Sequence, residues 1–515
     1  MVFFAKPVIL IVFGDYSNLG VGYLSAVLNQ AGVQTRMIDF RLRNEEILED
    51  LKKSNPLVVG FSVIYEGYID EFAKLVKLLR SEGISCHFTA GGHFASLRPQ
   101  ELFSLIPGID SIIRFEGEYT LLELVSCLSS DKDWKSIRSI AYKENHRIIE
   151  TPLRPLERDL DRLPFPLRPL LREYAYGKKY VTIIAGRGCI NNCSYCNAKE
   201  FYRTPSGPTK RTRSPEMVVR EMEYLYRDKG CSVYLFHDDD FPVKVRGEND
   251  WIKSFCNELV KLGLHDKIIW KISCRPDEID ADILELMKQH GLFLVFIGLE
   301  DGTDEGLTRL NKRTTVAGNL ECIKLLKDTD TSFNYGFMMF QPDTTFGSLR
   351  ENLGFLRKIC SDGYTPVSFL KMMPYFETRI EKELREQGRL KGRPGYLDYD
   401  FNTLSLNDCY ATAIGCFAEW MWSAEGVTNL SQWARNYYAV HDHFGISKPG
   451  IALLREKFRE TATESNLYIL DTLAVLFDLF ESGSYLDEGK QTIEKIRSEA
   501  KAKHAFYRRE IRACF

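Results

Sequence analysis

The amino-acid sequence predicts an α/β protein in three parts: a doubly wound, Rossmann-like N-terminal domain, a partial (β/α)6 barrel and a helical C-terminal region. Strand-like runs alternate with helical patterns in two separate series, which is typical of parallel sheets with crossover helices. A proline-rich stretch separates the two series, and the chain beyond them shows helical periodicity alone. The expected boundaries are 1–135 for the first domain, 136–178 for a linker, 179–395 for the barrel and 396–515 for the helical region.

The first series predicts five strands. The run at 8–13 is apolar and is followed by Gly14 and Asp15, as expected of a buried parallel strand. The other strands are expected at 34–39, 57–62, 86–90 and 111–115, and the helices between them at 21–30, 45–53, 70–79 and 120–128. Ligands of doubly wound folds bind beyond the carboxyl ends of the strands, so we expect a binding site at that edge.

The second series predicts the barrel. Five prolines between 151 and 172 interrupt regular structure and indicate an extended linker that wraps onto the next domain. Strands are then expected at 181–185, 233–236, 268–273, 292–299, 333–340 and 366–372, and helices at 215–227, 251–262, 280–289, 316–327 and 348–359. Six strands with intervening helices indicate a partial barrel. In the C-terminal region, Trp420 and Trp422 could line a pocket, although core packing is the favoured interpretation.

Composition and charge exclude several classes of protein. The 515 residues contain 68 Lys and Arg against 71 Asp and Glu, and a net charge of −3 argues against nucleic-acid binding driven by bulk charge. No apolar run approaches the roughly 18 residues that a membrane helix needs. The first 13 residues fit a buried strand better than a signal peptide. The 13 cysteines are mostly isolated, which predicts a reducing, cytoplasmic environment.

Three clustered cysteines carry the strongest chemical signal. Cys189, Cys193 and Cys196 have the spacing C-x3-C-x2-C on one loop that directly follows a predicted strand. Thiolates are soft ligands suited to iron–sulfur centres, and three of them on a cubane leave one iron open. Zinc binding and chance spacing are the alternatives, but zinc sites favour paired C-x2-C units.

The cysteine spacing, with Tyr195 just before the last cysteine, resembles the signature of the radical S-adenosylmethionine (SAM) enzymes. Further similar segments lie at 236–241, 273–277, 298–302, 310–312 and 337–345, so the resemblance covers about 180–375. It implies a 4Fe-4S cluster and SAM, whose reductive cleavage yields a 5′-deoxyadenosyl radical. It also implies contacts to SAM from Tyr195, Arg275, Glu300 and Phe340. Many relatives carry glycine where this chain has Phe340.

Three consecutive acidic residues follow the predicted strand at 233–236. Asp238, Asp239 and Asp240 could hold a substrate, or they could simply cap a loop. The residue types alone leave both interpretations open.

The N-terminal domain resembles the cobalamin-binding domain that precedes some radical SAM domains. The similar segments are 19–27, 31–32, 59–64, 90–93, 114–118 and the linker at 159–164. The resemblance implies a cobalamin site formed by Asp15, Leu19, Gly20, Ser62, Ile64, Gly91, Gly92, His93, Glu116 and Gly117. The Asp-x-His-x-x-Gly motif that supplies a cobalt ligand in some cobalamin proteins does not occur, and a lone His93 is more often a loop residue than a ligand.

The resemblance implies a cobalamin-dependent radical SAM enzyme, and a C-methyltransferase acting on an unactivated carbon of a small, specialised metabolite is the leading hypothesis. An external electron donor such as flavodoxin or ferredoxin would reduce the cluster. The alternative is a rearrangement or cyclisation that uses the same cofactors without methyl transfer. A non-catalytic iron–sulfur or zinc-binding protein is more remote. A methylthiotransferase is disfavoured because the N-terminal domain lacks a second cysteine triad.

Overall fold

The N-terminal domain is built on a seven-stranded sheet in the order β2-β1-β3-β4-β5-β6-β7. The computed structural model describes residues 6–14, 18–64, 66–244, 250–486 and 489–515. The strands are β1 Val8–Val12, β2 Thr35–Asp39, β3 Val58–Ser62, β4 His87–Gly91, β5 Ser111–Ile113, β6 Ile140–Glu144 and β7 Arg147–Glu150. Strands β1 to β5 are parallel, and their order is that of a doubly wound fold whose switch point lies between β1 and β3. The predicted architecture of this domain is confirmed.

Helices pack on both faces of this sheet. They are α1 Leu19–Gln30, α2 Asn44–Ser54, α3 Ile69–Ser81, α4 His93–Leu97, α5 Pro99–Leu105 and α6 Glu118–Ser129. The Asn18 side chain caps α1 by accepting a hydrogen bond from the Val21 amide at 3.2 Å. These helices leave the carboxyl edge of the parallel strands open toward the second domain.

An antiparallel hairpin extends the first sheet beyond residue 135. Strands β6 and β7 pair across a turn in which Asn145 and His146 have positive φ angles of 47° and 63°. Two consecutive left-handed residues match the right-handed twist of a tight hairpin. The sheet therefore continues through Glu150, into the segment that we expected to belong to the linker.

The barrel sheet has six strands in the order β15-β14-β13-β12-β9-β8. The strands of this part of the chain are β8 Arg172–Ala175, β9 Lys178–Ile183, β10 Gly186–Arg187, β11 Arg211–Thr212, β12 Cys231–Phe236, β13 Ile269–Cys274, β14 Leu292–Glu300 and β15 Ser332–Phe337. The helices are α7 Ala198–Arg203, α8 Pro215–Lys229, α9 Asp250–Lys261, α10 Ala281–Gln289, α11 Asp304–Arg309, α12 Val316–Asp328, α13 Phe346–Cys360 and α14 Arg379–Glu386. Ser214 caps α8, and Gly230 ends it in the left-handed conformation.

The partial barrel is confirmed, but its sixth strand is not the one that we predicted. Five strands are parallel, and the sixth is β8, which pairs antiparallel with β9 at the edge. The segment predicted as a strand at 366–372 forms a single bridge, from Phe340 to Lys371. In the first part of the segment, side chains take the amides that a ladder would use, because the Val367 amide donates to Asn466 and the Ser368 amide to the Tyr335 hydroxyl. The Leu370 and Met372 amides do donate to the neighbouring backbone, at the carbonyls of Phe337 and Phe340.

Four long helices form the C-terminal region, as predicted: α15 Leu404–Trp422, α16 Val427–His443, α17 Ile451–Glu481 and α18 Gly489–Arg512. Trp420 is fully buried and stacks on Tyr468 with ring centroids 5.7 Å apart, which confirms core packing for this residue. Trp422 is half exposed. Among the described residues, no helix is both long and apolar enough to span a membrane.

A buried ion-pair triad fastens the linker to the barrel. The fully buried carboxylate of Glu221 accepts from Arg168 at 2.6 Å and from Arg213 at 2.5 Å. Removing its charge leaves two buried guanidinium groups without a counter-charge, which costs about 3–5 kcal/mol. We therefore expect Glu221→Gln to lower the free energy of unfolding by that amount in urea denaturation followed by tryptophan fluorescence.

The matched control for Glu221→Gln lies on the same helix. Glu223 forms an exposed pair with Arg227 at 2.8 Å, and exposed pairs contribute less than about 1 kcal/mol. Equal effects of Glu221→Gln and Glu223→Gln would contradict a structural role for the triad.

Candidate functional site

The cysteine loop begins at a glycine that no other residue can replace without a shift of the chain. Gly188 has φ +82°, and a Cβ atom there would lie 2.0 Å from the carbonyl oxygen of Thr209. Strand β10, which precedes it, pairs antiparallel with β11. The loop thus turns tightly at the carboxyl end of β9, where the side chains of Cys189, Cys193 and Cys196 follow.

The end of α11 and the turn after it anchor the cysteine loop. The Ser194 amide donates to the carbonyl of Leu310 at 2.9 Å, and the Ser194 hydroxyl donates to that of Arg309 at 3.0 Å. The side-chain amide of Asn311 donates to the carbonyl of Asn192 at 2.6 Å. Two segments that the sequence analysis singled out separately are therefore in direct contact.

The three cysteines are free and partly buried. The backbone and side-chain amides of Asn191 lie 3.4 and 3.3 Å from the Sγ atom of Cys189. Burial raises the pKa of Cys189 to about 12 and that of Cys196 to about 11, so these thiols stay protonated until a metal displaces the proton. Three thiols on one loop, with amide donors toward sulfur, fit an iron–sulfur cluster. In the described part of the chain, no three His, Cys, Asp or Glu side chains are gathered as around a single metal ion.

Three residues predicted to contact SAM meet around the ion pair of Lys312 with Glu300. Its ammonium lies 3.1 Å from Oε1 of Glu300, and its carbonyl accepts a hydrogen bond from Nη2 of Arg275 at 2.6 Å. Tyr195 hydrogen-bonds Glu300, and burial, followed by the nearby Glu300 charge, raises the pKa of Tyr195 well above its usual value. Arg275 also pairs with Asp277 at 2.9 Å. Through Tyr195, which directly precedes Cys196, the carboxylate of Glu300 and the cationic groups of Lys312 and Arg275 are joined to the cysteine loop.

Two features of this cluster fit a charged ligand. Nη1 of Arg275 is buried and has no hydrogen-bond partner among the described residues. Glu300 has φ +69°, an uncommon conformation for this residue type that costs about 1–3 kcal/mol and is typical of functional sites. A Cβ atom at Gly298 would lie 2.5 Å from the Glu300 carboxylate, so glycine leaves the space that this carboxylate occupies.

Phe340 is not brought into this cluster. Its ring is fully buried against aromatic side chains, with Tyr410 at 5.1 Å and Phe369 at 6.0 Å between centroids. Its amide donates to Leu370, and its carbonyl accepts from the Tyr399 hydroxyl at 3.0 Å. Both the side chain and the backbone groups of Phe340 are therefore engaged in the core.

The three acidic residues have separate partners, and two of them support the cysteine loop. Asp238 accepts from the Gly186 amide at 2.6 Å, and burial raises its pKa to about 7. Asp239 accepts from the Gly188 amide at 3.2 Å. Asp240 forms an ion pair with Lys210 at 2.7 Å. The loop-capping interpretation fits Asp238 and Asp239, whereas a substrate role stays a prediction.

A cavity of about 700 Å³ lies at the carboxyl edge of the N-terminal sheet. Nine of the ten residues predicted for the cobalamin site line it: Leu19, Gly20, Ser62, Ile64, Gly91, Gly92, His93, Glu116 and Gly117. The tenth, Asp15, lies outside the described residues. The floor is shaped by glycine, since a Cβ atom at Gly60 would lie 2.6 Å from Leu10 Cδ2. A broad, largely apolar cavity at a switch point suits a large planar cofactor.

The barrel domain closes one side of this cavity. Gly186, Arg187, His237 and Asp239 line it together with the residues of the first domain. The sequence analysis named Asp239 as a candidate substrate contact, but it did not assign Gly186, Arg187 or His237 to this cavity. The charge of Arg187 just before the cysteine loop was the available signal. The cavity therefore lies between the N-terminal sheet and the start of the cysteine loop.

Arg187 joins the two domains at the cavity wall. Its guanidinium lies 3.1 Å from Glu116 and 2.6 Å from Glu118. Arg211 pairs with the same Glu116 at 2.9 Å. The two guanidinium groups outweigh burial and hold the pKa of Glu116 below its usual value. This buried network ties the position of the cysteine loop to the cavity.

His93 stacks on Phe201 of the barrel domain, with ring centroids 4.0 Å apart. Burial lowers the pKa of His93, which keeps the imidazole neutral. His93 therefore lies in the cavity wall as the first residue of α4, and its role toward cobalt stays a prediction.

Two family models match the chain. The B12 binding domain matches residues 5–125, and the radical SAM superfamily matches residues 183–356. The first match covers the five parallel strands of the N-terminal sheet, and the second covers the cysteine loop and the barrel strands β12 to β15.

Curated relatives include enzymes of two kinds. An uncharacterized methyltransferase of Pyrococcus horikoshii is 26% identical over 368 residues, covering 70% of this chain and 77% of the relative. The anaerobic magnesium-protoporphyrin IX monomethyl ester cyclase of Cereibacter sphaeroides is 27% identical over 393 residues. That match covers 73% of this chain but 61% of the cyclase, which is less than two thirds of its length.

Solved structures share the whole architecture. The cobalamin-dependent SAM radical enzyme OxsB, with aqua-cobalamin and SAM bound, superposes with a TM-score of 0.69 at 16% identity, covering 97% of this chain and 84% of that one. The radical SAM methyltransferase TsrM from Kitasatospora setae, with tryptophan and a SAM analogue bound, gives a TM-score of 0.65 at 16% identity, covering 96% and 100%. The likeness extends over both domains and the helical region.

Proposed function

Because the chain belongs to the cobalamin-dependent radical SAM enzymes, we propose that it transfers a methyl group to an unactivated carbon of a small-molecule substrate. The similarity to the methyltransferase of Pyrococcus horikoshii supports this reaction. Cobalamin, SAM and a 4Fe-4S cluster are its cofactors.

One observation carries the proposal: the cofactor cavity of the first domain opens onto the barrel. His237 and Asp239 follow barrel strand β12 and line the same cavity as Ser62 and Gly91 of the first domain. A group carried in the cavity therefore faces the carboxyl ends of the barrel strands, where barrel enzymes bind their substrates. Methyl transfer needs this short path between two sites.

The residues around the cysteine loop supply the other half of the site. Cys189, Cys193 and Cys196 would hold the cluster, and Glu300 and Arg275 would orient the amino and carboxylate groups of SAM. When bound, the cluster and SAM would together supply a radical that takes hydrogen from an unactivated carbon. The ion pair of Lys312 with Glu300 holds the carboxylate in place before SAM arrives. Preorganised charge of this kind lowers the cost of orienting a ligand.

An external electron donor such as flavodoxin or ferredoxin is part of the proposal. Ile190, inside the cysteine loop, is 62% exposed, so the loop reaches the surface. A surface loop gives a reductant a short path to a cluster bound there.

A rearrangement or cyclisation is the second candidate. The similarity to the cyclase of Cereibacter sphaeroides supports it, and the same two cofactors would serve. The two candidates differ in what happens to SAM. Methyl transfer consumes one SAM as the methyl source and another as the radical source, whereas cyclisation needs the radical source alone.

The test is to identify the products of SAM. The protein is reconstituted anaerobically with iron, sulfide and hydroxocobalamin, reduced in the presence of SAM, and analysed by liquid chromatography. We expect both S-adenosylhomocysteine and 5′-deoxyadenosine. 5′-Deoxyadenosine alone would favour the second candidate. Neither product, in protein loaded with corrinoid and iron, would contradict both.

A further inference from the structure

The inner face of the barrel sheet is partly open. Lys271 and Ser273 on β13 are partly exposed, and so are Asn334 and Gly336 on β15, whereas the residues between them are buried. Phe296, in the middle of β14, is 39% exposed. Ser273 is in register with Phe296, and Phe296 with Asn334, so these side chains share one face. A barrel interior is ordinarily packed with branched apolar side chains, so this face is built for a ligand.

Lys271 is the cation of this inner face. Its ammonium donates to the Ser273 hydroxyl at 2.7 Å and to the Phe236 carbonyl at 3.3 Å, and it lies 5.8 Å from the centroid of the Phe296 ring. No carboxylate lies within ion-pair distance of it in the described part of the chain. An ammonium group has three donors, so one is left for a ligand.

The acidic groups near Lys271 are held by other partners. Asp238 accepts from the amides of Ala185 and Gly186, and Asp240 pairs with Lys210. Burial lowers the pKa of Lys271 to about 8, so the amine still carries a charge at neutral pH. Asp238 lies beyond ion-pair distance and offsets only part of the cost of burying this charge, and an anionic ligand would offset the rest.

The strand register sets how far this cation lies from the SAM contacts. Ser273, which accepts a hydrogen bond from the Lys271 ammonium, is in register with Phe296 of β14. Glu300 follows Phe296 by four residues on β14. At about 3.3 Å per residue, this separation is about 13 Å along the sheet. A ligand that reaches from one level to the other must be elongated.

We propose that Lys271 binds the anionic group, a carboxylate or a phosphate, of an elongated substrate whose neighbouring apolar part lies on the ring of Phe296. This proposal rests on the proposed function only for the reaction at the other end of the substrate, near Glu300. Lys271 thereby acts as a substrate-positioning residue.

The test uses probes of one shape and different charge. Binding of 3-phenylpropanoate, 3-phenylpropyl phosphate and the neutral 3-phenylpropanamide to the reconstituted holoenzyme is measured by calorimetry. We expect one of the two anions to bind at least about tenfold more tightly than the amide, and the tighter of them identifies the anionic group. Anions that bind no more tightly than the amide would overturn the proposal, and this measurement needs no variant.

Three variants locate the preference. We expect Lys271→Met to abolish the preference for the anion, and Lys271→Arg to keep part of it. Lys324→Met removes the same charge from an exposed position of α12 and is expected to leave the preference unchanged. Iron and corrinoid contents equal to those of the wild type show that each variant is folded. A preference that survives Lys271→Met, or that Lys324→Met also removes, would refute the assignment.

The binding measurement does not depend on SAM turnover. If SAM yields neither expected product while the anion preference depends on Lys271, the proposed reaction fails and the substrate proposal stands. If both products form but the anions bind no more tightly than the amide, the proposed reaction stands and the substrate proposal fails.

Discussion

Replacing Cys193 by alanine is expected to reduce the formation of 5′-deoxyadenosine from SAM at least about 100-fold, because two thiolates do not hold a catalytic cluster. The measurement is the yield of 5′-deoxyadenosine after reduction, together with the iron content. Corrinoid binding should persist, since Cys193 does not line the cavity of the first domain.

Cys127→Ala is the matched control for the cysteine prediction. Cys127 is also free and partly buried, but it lies on α6 of the first domain. We expect wild-type iron content and SAM cleavage from this variant. Unimpaired cleavage in Cys193→Ala would refute the assignment of the cluster to the cysteine loop.

Replacing Gly91 by phenylalanine is expected to weaken corrinoid binding at least about 100-fold by filling the cavity. Gly91 lines the cavity at the end of β4, and a Cβ atom there would meet only the carbonyl oxygen of Ile113, at 3.5 Å. The backbone therefore accepts a side chain, which must extend into the space of the cofactor. The bound corrinoid is quantified by absorbance after gel filtration.

Gly354→Phe makes the same substitution at an exposed position of α13, where a Cβ atom meets nothing within 4 Å. We expect corrinoid binding at the wild-type level in this control. Iron content serves as the measure of folding for both glycine variants. Wild-type corrinoid binding by Gly91→Phe would show that cobalamin binds elsewhere.

Local patterns were enough for most of the fold. The apolar run at 8–13 and the helix that begins at Pro215 after the Ser214 cap are both present, because burial and capping act over a few neighbouring residues. The hairpin of β6 and β7 was missed. Its turn residues, Asn145 and His146, adopt positive φ angles without the glycine that usually signals such a turn.

The segment at 366–372 shows a limit of pattern reading. Its residues have strand character, but whether their amides join a sheet depends on distant partners. Asn466 of α17 takes the amide of Val367, and these residues are far apart in the sequence. A short stretch of sequence does not show whether a distant side chain will compete with a neighbouring strand for its backbone amides.

The candidate site divides in the same way. Spacing alone placed Cys189, Cys193 and Cys196 on one turn-rich loop, and their binding of a cluster stays a prediction. Residues recognised by resemblance also line the cavity, since strand ends of a doubly wound sheet meet at one edge. The pairing of Lys312 with Glu300 and the stacking of His93 on Phe201 followed no local pattern.

The sequence thus carried the architecture and the kinds of cofactor, because strand alternation and ligand spacing are properties of neighbouring residues. Folding in three dimensions brought the cobalamin-domain cavity against the cysteine loop through Arg187 and Glu118. It also placed Lys271 inside the barrel with no carboxylate within ion-pair distance among the described residues. Such contacts depend on how whole domains and strands pack, and this long-range packing reflects the free energy of the complete chain rather than the preferences of any segment.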